Sequence, residues 1–348
     1  MEHPTIRSLA QALGLSRSTV SEALRNSPRI NASTAKRVQA FAAAAGYRPN
    51  PLASALMSEL RRSHVELFRG VLATVGMNEP QRPAHAEAFF RELTRGARER
   101  AAELGFSLER FLVGEKGVPL QRLNSILQSR GITGIVLLPA WGDPDFSELD
   151  WKRYAGVYTD YFIEHPTLHA VCSDHHRSMM FALHRLHALG YRRPGLFLHK
   201  HQDERLQHRW ESPFLAFQHH ASGIEVIPPL IANEITSAGF VAWFRRHEPD
   251  VVLGHHTEAI AWMQECGASV PDTHGFFCLN HLMRHVPCAG LDLRPHLIGR
   301  RAAEIVIAQL QRNEFGIPEH PSLTTMPALW ADGPTLRPAT ASARSAKI

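Results

Sequence analysis

Along the first sixty residues, apolar positions recur at helical spacing in three short runs. Thr5 can cap a helix whose Ile6, Leu9 and Ala10 share one face, and Gly14 breaks it. Ser16 is a natural N-cap for a second helix running to Leu24, with Val20, Ala23 and Leu24 inward and Arg17, Ser18, Ser21, Glu22 and Arg25 outward. Beyond the Ser27-Pro28 break, Asn31 can cap a third helix with Ala35, Val38, Phe41, Ala42 and Ala45 inward, ended by Gly46. The pattern predicts a small core of Ile6, Leu9, Leu13, Leu15, Val20, Leu24, Val38 and Phe41. Two short helices joined by a Gly-containing turn make a helix-turn-helix, an all-α headpiece.

From about residue 68 the period changes. Short apolar runs at 70–77, 106–113, 132–139, 156–161, 171–174, 194–199, 250–256 and 275–280 predict strands. Amphipathic stretches between them, such as 88–105 and 177–190, predict helices. Repeated β-α units imply parallel sheets with helices on both faces, in more copies than one sheet needs.

Charge sharpens the division. Residues 1–62 carry nine basic and three acidic side chains, a net of +6 against +5 for the whole 348-residue chain. A compact basic module on a near-neutral body points to a polyanionic partner for the module alone. No apolar stretch approaches bilayer length and nothing in MEHPTIRSLA marks export, so a cytoplasmic location with no membrane partner is expected. The four cysteines, Cys172, Cys266, Cys278 and Cys288, form no Cys-x-x-Cys pair and read as scattered reduced thiols. Among 22 histidines, the His184/His187 and His281/His285 pairs have helical spacing but lack further ligands, so neither a metal site nor a cofactor is expected.

The run TIRSLAQALGLSRSTVSEALRNSPRINASTAKRV, followed by GYRPN and PLASALM, resembles the headpiece of the lactose-repressor (LacI/GalR) family. The resemblance rests on Ala10, Gly14, Ser16, Thr19, Val20, Ser21, Thr34, Val38, Tyr47, Pro49, Asn50, Ala53 and Leu56. It implies that Arg17 and Ser18 read bases, Arg being suited to guanine O6 and N7. Thr5, Ser16, Thr19, Ser21, Asn31 and Thr34 would hold phosphates, with Arg29 as a further contact. Glu22 and Arg25 replace the family's usual Arg and Asn; Glu22 either accepts from cytosine N4 or pairs with Arg25 at i,i+3. Tyr47, Asn50, Ala53 and Leu56 fall in the linker and hinge helix, where Leu56 would wedge into the minor groove.

More weakly, the resemblance extends over about residues 4–335. It implies a body of two doubly wound parallel-sheet subdomains, like periplasmic binding proteins. The expected organisation is a headpiece over 1–49, a hinge over 50–62, a body over 63–335 and a disordered tail over 336–348. Within the body, one subdomain takes about 68–170 plus 295–330 and the other 171–294. Strand carboxyl ends should supply an effector site with Asn78, Trp141, Asp174, His199, His255 and Asn280, and the resemblance points to Arg209, one residue off the family's ligand-gripping Arg, as a further contact. His255-His256 replaces the family's Asn-Asp pair and Asn280 its Asp, so the pocket differs from a standard sugar-hydroxyl site; Trp141 would suit a sugar or an aromatic ring, and a sugar or sugar derivative is the expected effector. The expected function is a homodimeric repressor-type regulator, not an enzyme, binding a palindromic double-stranded DNA operator under effector control. The alternatives are a sugar-binding protein or a metal-dependent enzyme on the same body.

Overall fold

The computed structural model describes residues 6–24, 30–45, 69–79, 86–114, 116–161 and 163–338, with only the backbone at Ile6, Arg7, Arg17, Ser18 and Ser21. The expected side-chain roles of Thr5, Arg17, Ser18, Ser21, Arg25, Arg29, Tyr47, Asn50, Ala53 and Leu56 therefore lie outside the described side chains, as does the hinge.

Three helices form the headpiece: α1 (Ile6–Leu13), α2 (Arg17–Leu24) and α3 (Ala32–Ala44). Gly14, at φ +64°, turns the chain between the first two, a conformation that costs glycine little. Leu9, Ala10, Val20, Ala23, Val38 and Ala42 are buried together, with Leu13, Leu15, Leu24, Ile30 and Ala35 packed around them. Gln39 Nε2 donates to the Ala23 carbonyl at 2.9 Å and fastens α3 to α2. The expected core needs two corrections. Phe41 is 40% exposed, and Ala45 is exposed at the end of α3. Val38 and Ala42, four residues apart, centre the stripe that meets α2, which leaves Phe41 on its flank.

The body holds two sheets. The first contains β1 (Gly70–Met77), β2 (Phe106–Val113), β3 (Gly134–Leu137), β4 (Ala155–Tyr158), β5 (His169–Ser173) and a late strand Leu323–Met326. The second contains β6 (Pro194–His199), β7 (Leu230–Ala232), β8 (Val251–Gly254), β9 (Gly275–Cys278), β10 (Ala289–Asp292) and the last strand, Leu329–Ala331. With those two late strands as β11 and β12, the orders are β2-β1-β3-β4-β5-β11 and β7-β6-β8-β9-β10-β12. All neighbours are parallel except β12, which runs antiparallel to β10. Each sheet thus repeats the 2-1-3-4-5 doubly wound order, whose reversal point opens a crevice at the strand carboxyl ends.

Alternation along the strands sorts side chains to opposite faces. Ala73, Val75, Ile135 and Leu137 meet Leu123 and Leu127 of α5 (Leu120–Ser129). Leu72, Val136 and Val157 meet Phe90 and Leu93 of α4 (Ala86–Glu103) and Ile298, Ala302 and Val306 of α11 (Pro295–Arg312). In the second sheet, Leu196, Leu253 and Phe277 pack on α6 (His175–Ala188) and on the helix Glu211–His220. Phe197, Val252 and Phe276 pack on Phe240 of α9 (Ser237–His247) and Met263 of α10 (Ala259–Glu265).

Helices α4 and α11 approach closely. A Cβ on Gly96 would lie 1.9 Å from the His296 carbonyl oxygen, and one on Gly299 1.9 Å from that of Leu93. Arg100–Glu304 at 2.7 Å and Arg300–Glu103 at 2.8 Å cross the same seam. Arg300 and Arg100 lower the Glu103 carboxyl to about 2.

The chain crosses between lobes after β5, after β10 and between β11 and β12. The partition therefore differs in detail from 68–170 plus 295–330. β5 runs to Ser173 in the first sheet, and β12 belongs to the second. The expected tail also starts too early. Leu336 is buried, and Arg337 accepts position from Tyr191, whose hydroxyl takes its N–H at 3.0 Å. β7, β10, β11 and β12, of three or four residues each, were not among the expected strands.

Candidate functional site

Two regions carry the expected chemistry. In the headpiece, Ser16 Oγ accepts the Thr19 N–H at 3.0 Å and lies 2.8 Å from Thr19 Oγ1. Ser16 thereby caps α2, and the capped end carries the backbone of Arg17 and Ser18 at its first turn. Asn31 Oδ1 accepts the Ser33 N–H at 3.0 Å and caps α3. Ser16 and Asn31 are exposed, while Thr19, Glu22 and Thr34 are half-buried. Helix N-termini and short hydroxyls are the donors that set register on a phosphate backbone.

In the body, a cavity of about 90 Å³ lies between the lobes at the strand carboxyl ends. The first lobe contributes Trp141 after β3, Thr159 and Asp160 after β4, and Cys172 and Ser173 at the end of β5. The second contributes Arg205, from α7 (Lys200–Arg205), with Trp210, His255 after β8 and Asn280 after β9. Of the seven expected effector residues, Trp141, His255 and Asn280 line this cavity.

The other four do not line it. Asn78 ends β1 with its N–H on the Val113 carbonyl at 2.7 Å. Its neighbour Glu79 takes the closer role, accepting the Trp141 and Gly142 N–H groups at 2.8 Å and so fixing Trp141. Asp174 caps α6 through the Arg177 N–H at 3.0 Å and receives Thr325 Oγ1 at 3.3 Å, which ties it to the lobe crossing. His199 stands at the start of α7 with its Nδ1 buried and unpartnered. Arg209 lays its guanidinium 4.3 Å from the Tyr161 ring centre. Asp174 and Arg209 each miss the wall by one residue, since their neighbours Ser173, His175 and Trp210 line it.

Several wall residues were not singled out as effector contacts. Arg205 is paired with Asp160 and donates from Nη1 to the Ala140 carbonyl at 3.0 Å. His201 Nε2 lies 2.9 Å from the Trp141 carbonyl oxygen. Helix α7 therefore bridges the second lobe to the first. Trp210 is fully buried, with His175 and His255 rings edge-on at 4.6 and 5.8 Å. His175 and Trp210 have no local signature, since both are brought to the wall by helices packing against the second sheet. Burial pushes the Cys172 thiol up to about 12, so it stays protonated and unreactive.

Burial, with Arg205 and Arg209 nearby, pushes His175 down to about 3. Unfolded, this imidazole binds a proton near its ordinary 6.5, whereas folded it stays neutral until about pH 3. Below pH 6.5 the unfolded chain thus holds more protons. Stability should fall by up to ~1.4 kcal/mol per pH unit in that window. Thermal melts from pH 7 to 5 should show this decline, and His175→Phe should lessen it; an unchanged slope would refute the assignment.

The chain thus carries a helix-turn-helix ahead of two doubly wound lobes with a cavity at their switch points. Residues 5–50 match the model of bacterial regulatory proteins of the lacI family. No curated protein sequence matches the chain. The transcriptional regulator CelR in complex with cellobiose shares the fold at 20% identity and TM-score 0.57, covering 95% of this chain and 99% of that one. A lacI-family regulator from Silicibacter pomeroyi does so at 21% and 0.53, covering 96% and 100%. The lac repressor dimer bound to operator and the anti-inducer ONPF follows at 15% and 0.52, covering 97% and 100%. Among the described residues, no helix is long and apolar enough to cross a membrane.

Proposed function

We propose that the protein is a sequence-specific, repressor-type transcriptional regulator that binds a palindromic operator as a homodimer and senses a small molecule between its lobes. The observation carrying this reading is the Ser16-capped α2 within the segment matching the lacI family. Two-fold symmetric half-sites require two headpieces, hence a dimer. Arg17 and Ser18 are assigned to base edges, with Glu22 beside them, and Ser16, Thr19, Ser21, Asn31 and Thr34 to phosphates. The hinge around Ala53 and Leu56 would enter the minor groove.

Support for the sensing role comes from the cavity and from relatives of the same fold. CelR holds cellobiose, and a regulator from Weissella paramesenteroides, 12% identical with TM-score 0.56 over 76% of this chain and 98% of that one, holds glucose. The cavity of about 90 Å³ is smaller than the ~300–1,000 Å³ of typical ligand sites. A sugar or sugar derivative would therefore enter with the lobes further apart, contacting Trp141, His255 and Asn280. We read the chain as a regulator and not an enzyme.

Selection of bound sequences from random DNA tests the first part and should return a palindrome. Arg17→Ala should weaken binding by about 1–3 kcal/mol and relax preference at one base position per half-site. If the dimer neutralises six to ten phosphates, affinity should fall about 10³–10⁵-fold between 50 and 200 mM salt. Binding insensitive to salt would refute the nucleic-acid reading. A thermal-shift screen of mono- and disaccharides tests the second part independently.

A further inference from the structure

We infer that Asp203, His208 and Glu211 form a binding site for a zinc-type divalent metal ion in the turn joining α7 to α8 (Glu211–His220). Among the described residues, these three side chains bring one donor atom each to within 4.8 Å of one another. His208 Nδ1 lies 3.7 Å from Asp203 Oδ2 and 3.2 Å from Glu211 Oε2. A tetrahedral ion with bonds near 2.0–2.1 Å holds its donors about 3.4 Å apart, so the two spacings from His208 bracket that edge, while Asp203 and Glu211 lie within 4.8 Å of each other.

The independent observation is the state of Asp203. It is only 1% exposed. Its Oδ1 accepts the Trp210 N–H at 3.1 Å, but Oδ2 accepts no hydrogen bond although it is buried and faces His208. A buried carboxylate oxygen without a donor needs a cation or a proton. His208 and Glu211 are 53% and 26% exposed at their side chains, so an ion can enter from solvent and keep a water as its fourth ligand. An imidazole with two carboxylates favours a first-row transition ion over calcium, which takes six to eight oxygens.

The turn is built to present His208. Gln207 and His208 both adopt left-handed backbone, at φ 54° and 55°, and the His208 N–H returns to the Asp203 carbonyl at 2.9 Å. On its inner side the same segment supplies Arg205, Leu206 and Trp210 to the cavity wall. An ion here would brace that wall without entering the cavity.

The test uses the full-length protein stripped with a chelator and titrated with Zn²⁺ against a chromogenic competitor, beside His208→Asn and Glu211→Gln. Asparagine suits left-handed backbone, so the first variant removes the imidazole and keeps the turn. The chain's 22 histidines set a background, and the comparison between proteins removes it. Wild type should bind one equivalent more than either variant, at least ~10-fold more tightly than any binding they retain. Co²⁺ in its place should give the intense visible bands of a tetrahedral ion, lost in both variants. Equal stoichiometry and affinity in all three proteins would overturn the site and leave His208 as an ionic partner of the carboxylates. Tight zinc binding by wild type with only the pale spectrum of six-coordinate Co²⁺ would overturn the tetrahedral geometry.

Discussion

Gly299→Ala should lower the melting temperature by about 6–12 °C, the shift expected for roughly 3 kcal/mol in a body of this size. Gly299→Val should leave little folded protein at 37 °C. A Cβ at this position would meet the Leu93 carbonyl oxygen at 1.9 Å and the Ala97 amide nitrogen at 2.9 Å. Both obstacles are backbone of α4, so no side chain can rotate aside. The helices would have to separate along a seam that also carries Gly96 against His296 and the Arg100–Glu304 and Arg300–Glu103 pairs. Those pairs are too exposed to compensate. Gly131→Ala is the control: its φ is +66°, with nothing within 4 Å of a new Cβ, so only backbone strain of about 1–2 kcal/mol applies. A melt in which Gly299→Ala matches wild type would mean that α4 and α11 do not touch in solution.

Arg205→Ala should destabilise the body by about 3 kcal/mol or more, because it leaves the buried Asp160 carboxylate without its partner. Removing both charges together, as Arg205→Ala with Asp160→Asn, should recover much of the loss. The double-mutant cycle should yield a coupling above ~1 kcal/mol. Since Arg205 belongs to α7 and Asp160 to the first lobe, the same change releases one of the ties holding the lobes together. Ligand-induced thermal shifts should then differ from wild type as well. Additive single-mutant effects would show that the pair does not form.

Much of this organisation was legible along the chain because it rests on local rules. Ser16 and Asn31 are caps by side-chain chemistry, and Gly14 is a turn by backbone freedom. The runs at 70–77, 106–113 and 194–199 coincide with β1, β2 and β6; β1 and β6 are buried parallel strands that read as continuous apolar segments, whereas β2 is a half-exposed edge strand. The alternation of such runs with amphipathic helices sufficed for parallel sheets covered by helices, in more copies than one sheet needs; their division into two doubly wound lobes came from the family resemblance. It also pointed to strand carboxyl ends as the place for a ligand, and Trp141, His255 and Asn280 are there.

Whatever depended on contacts distant in sequence was not legible. β7 and β12 have three residues each and exist because a neighbouring strand pairs with them. Phe41 shares a helical face with Val38, yet the crossing of α3 over α2 decides which residue is covered. The cavity wall is the clearest case. Asp160 and Arg205 are 45 residues apart and meet only when the lobes close on each other. His175 and Trp210 become its buried rings through the packing of α6 against the turn before α8. Periodicity and capping propensity are properties of a few adjacent residues, so they survive in the linear order. The identity of a neighbour across a cleft is a property of the assembled chain, because it is set by how two sheets and their helices pack.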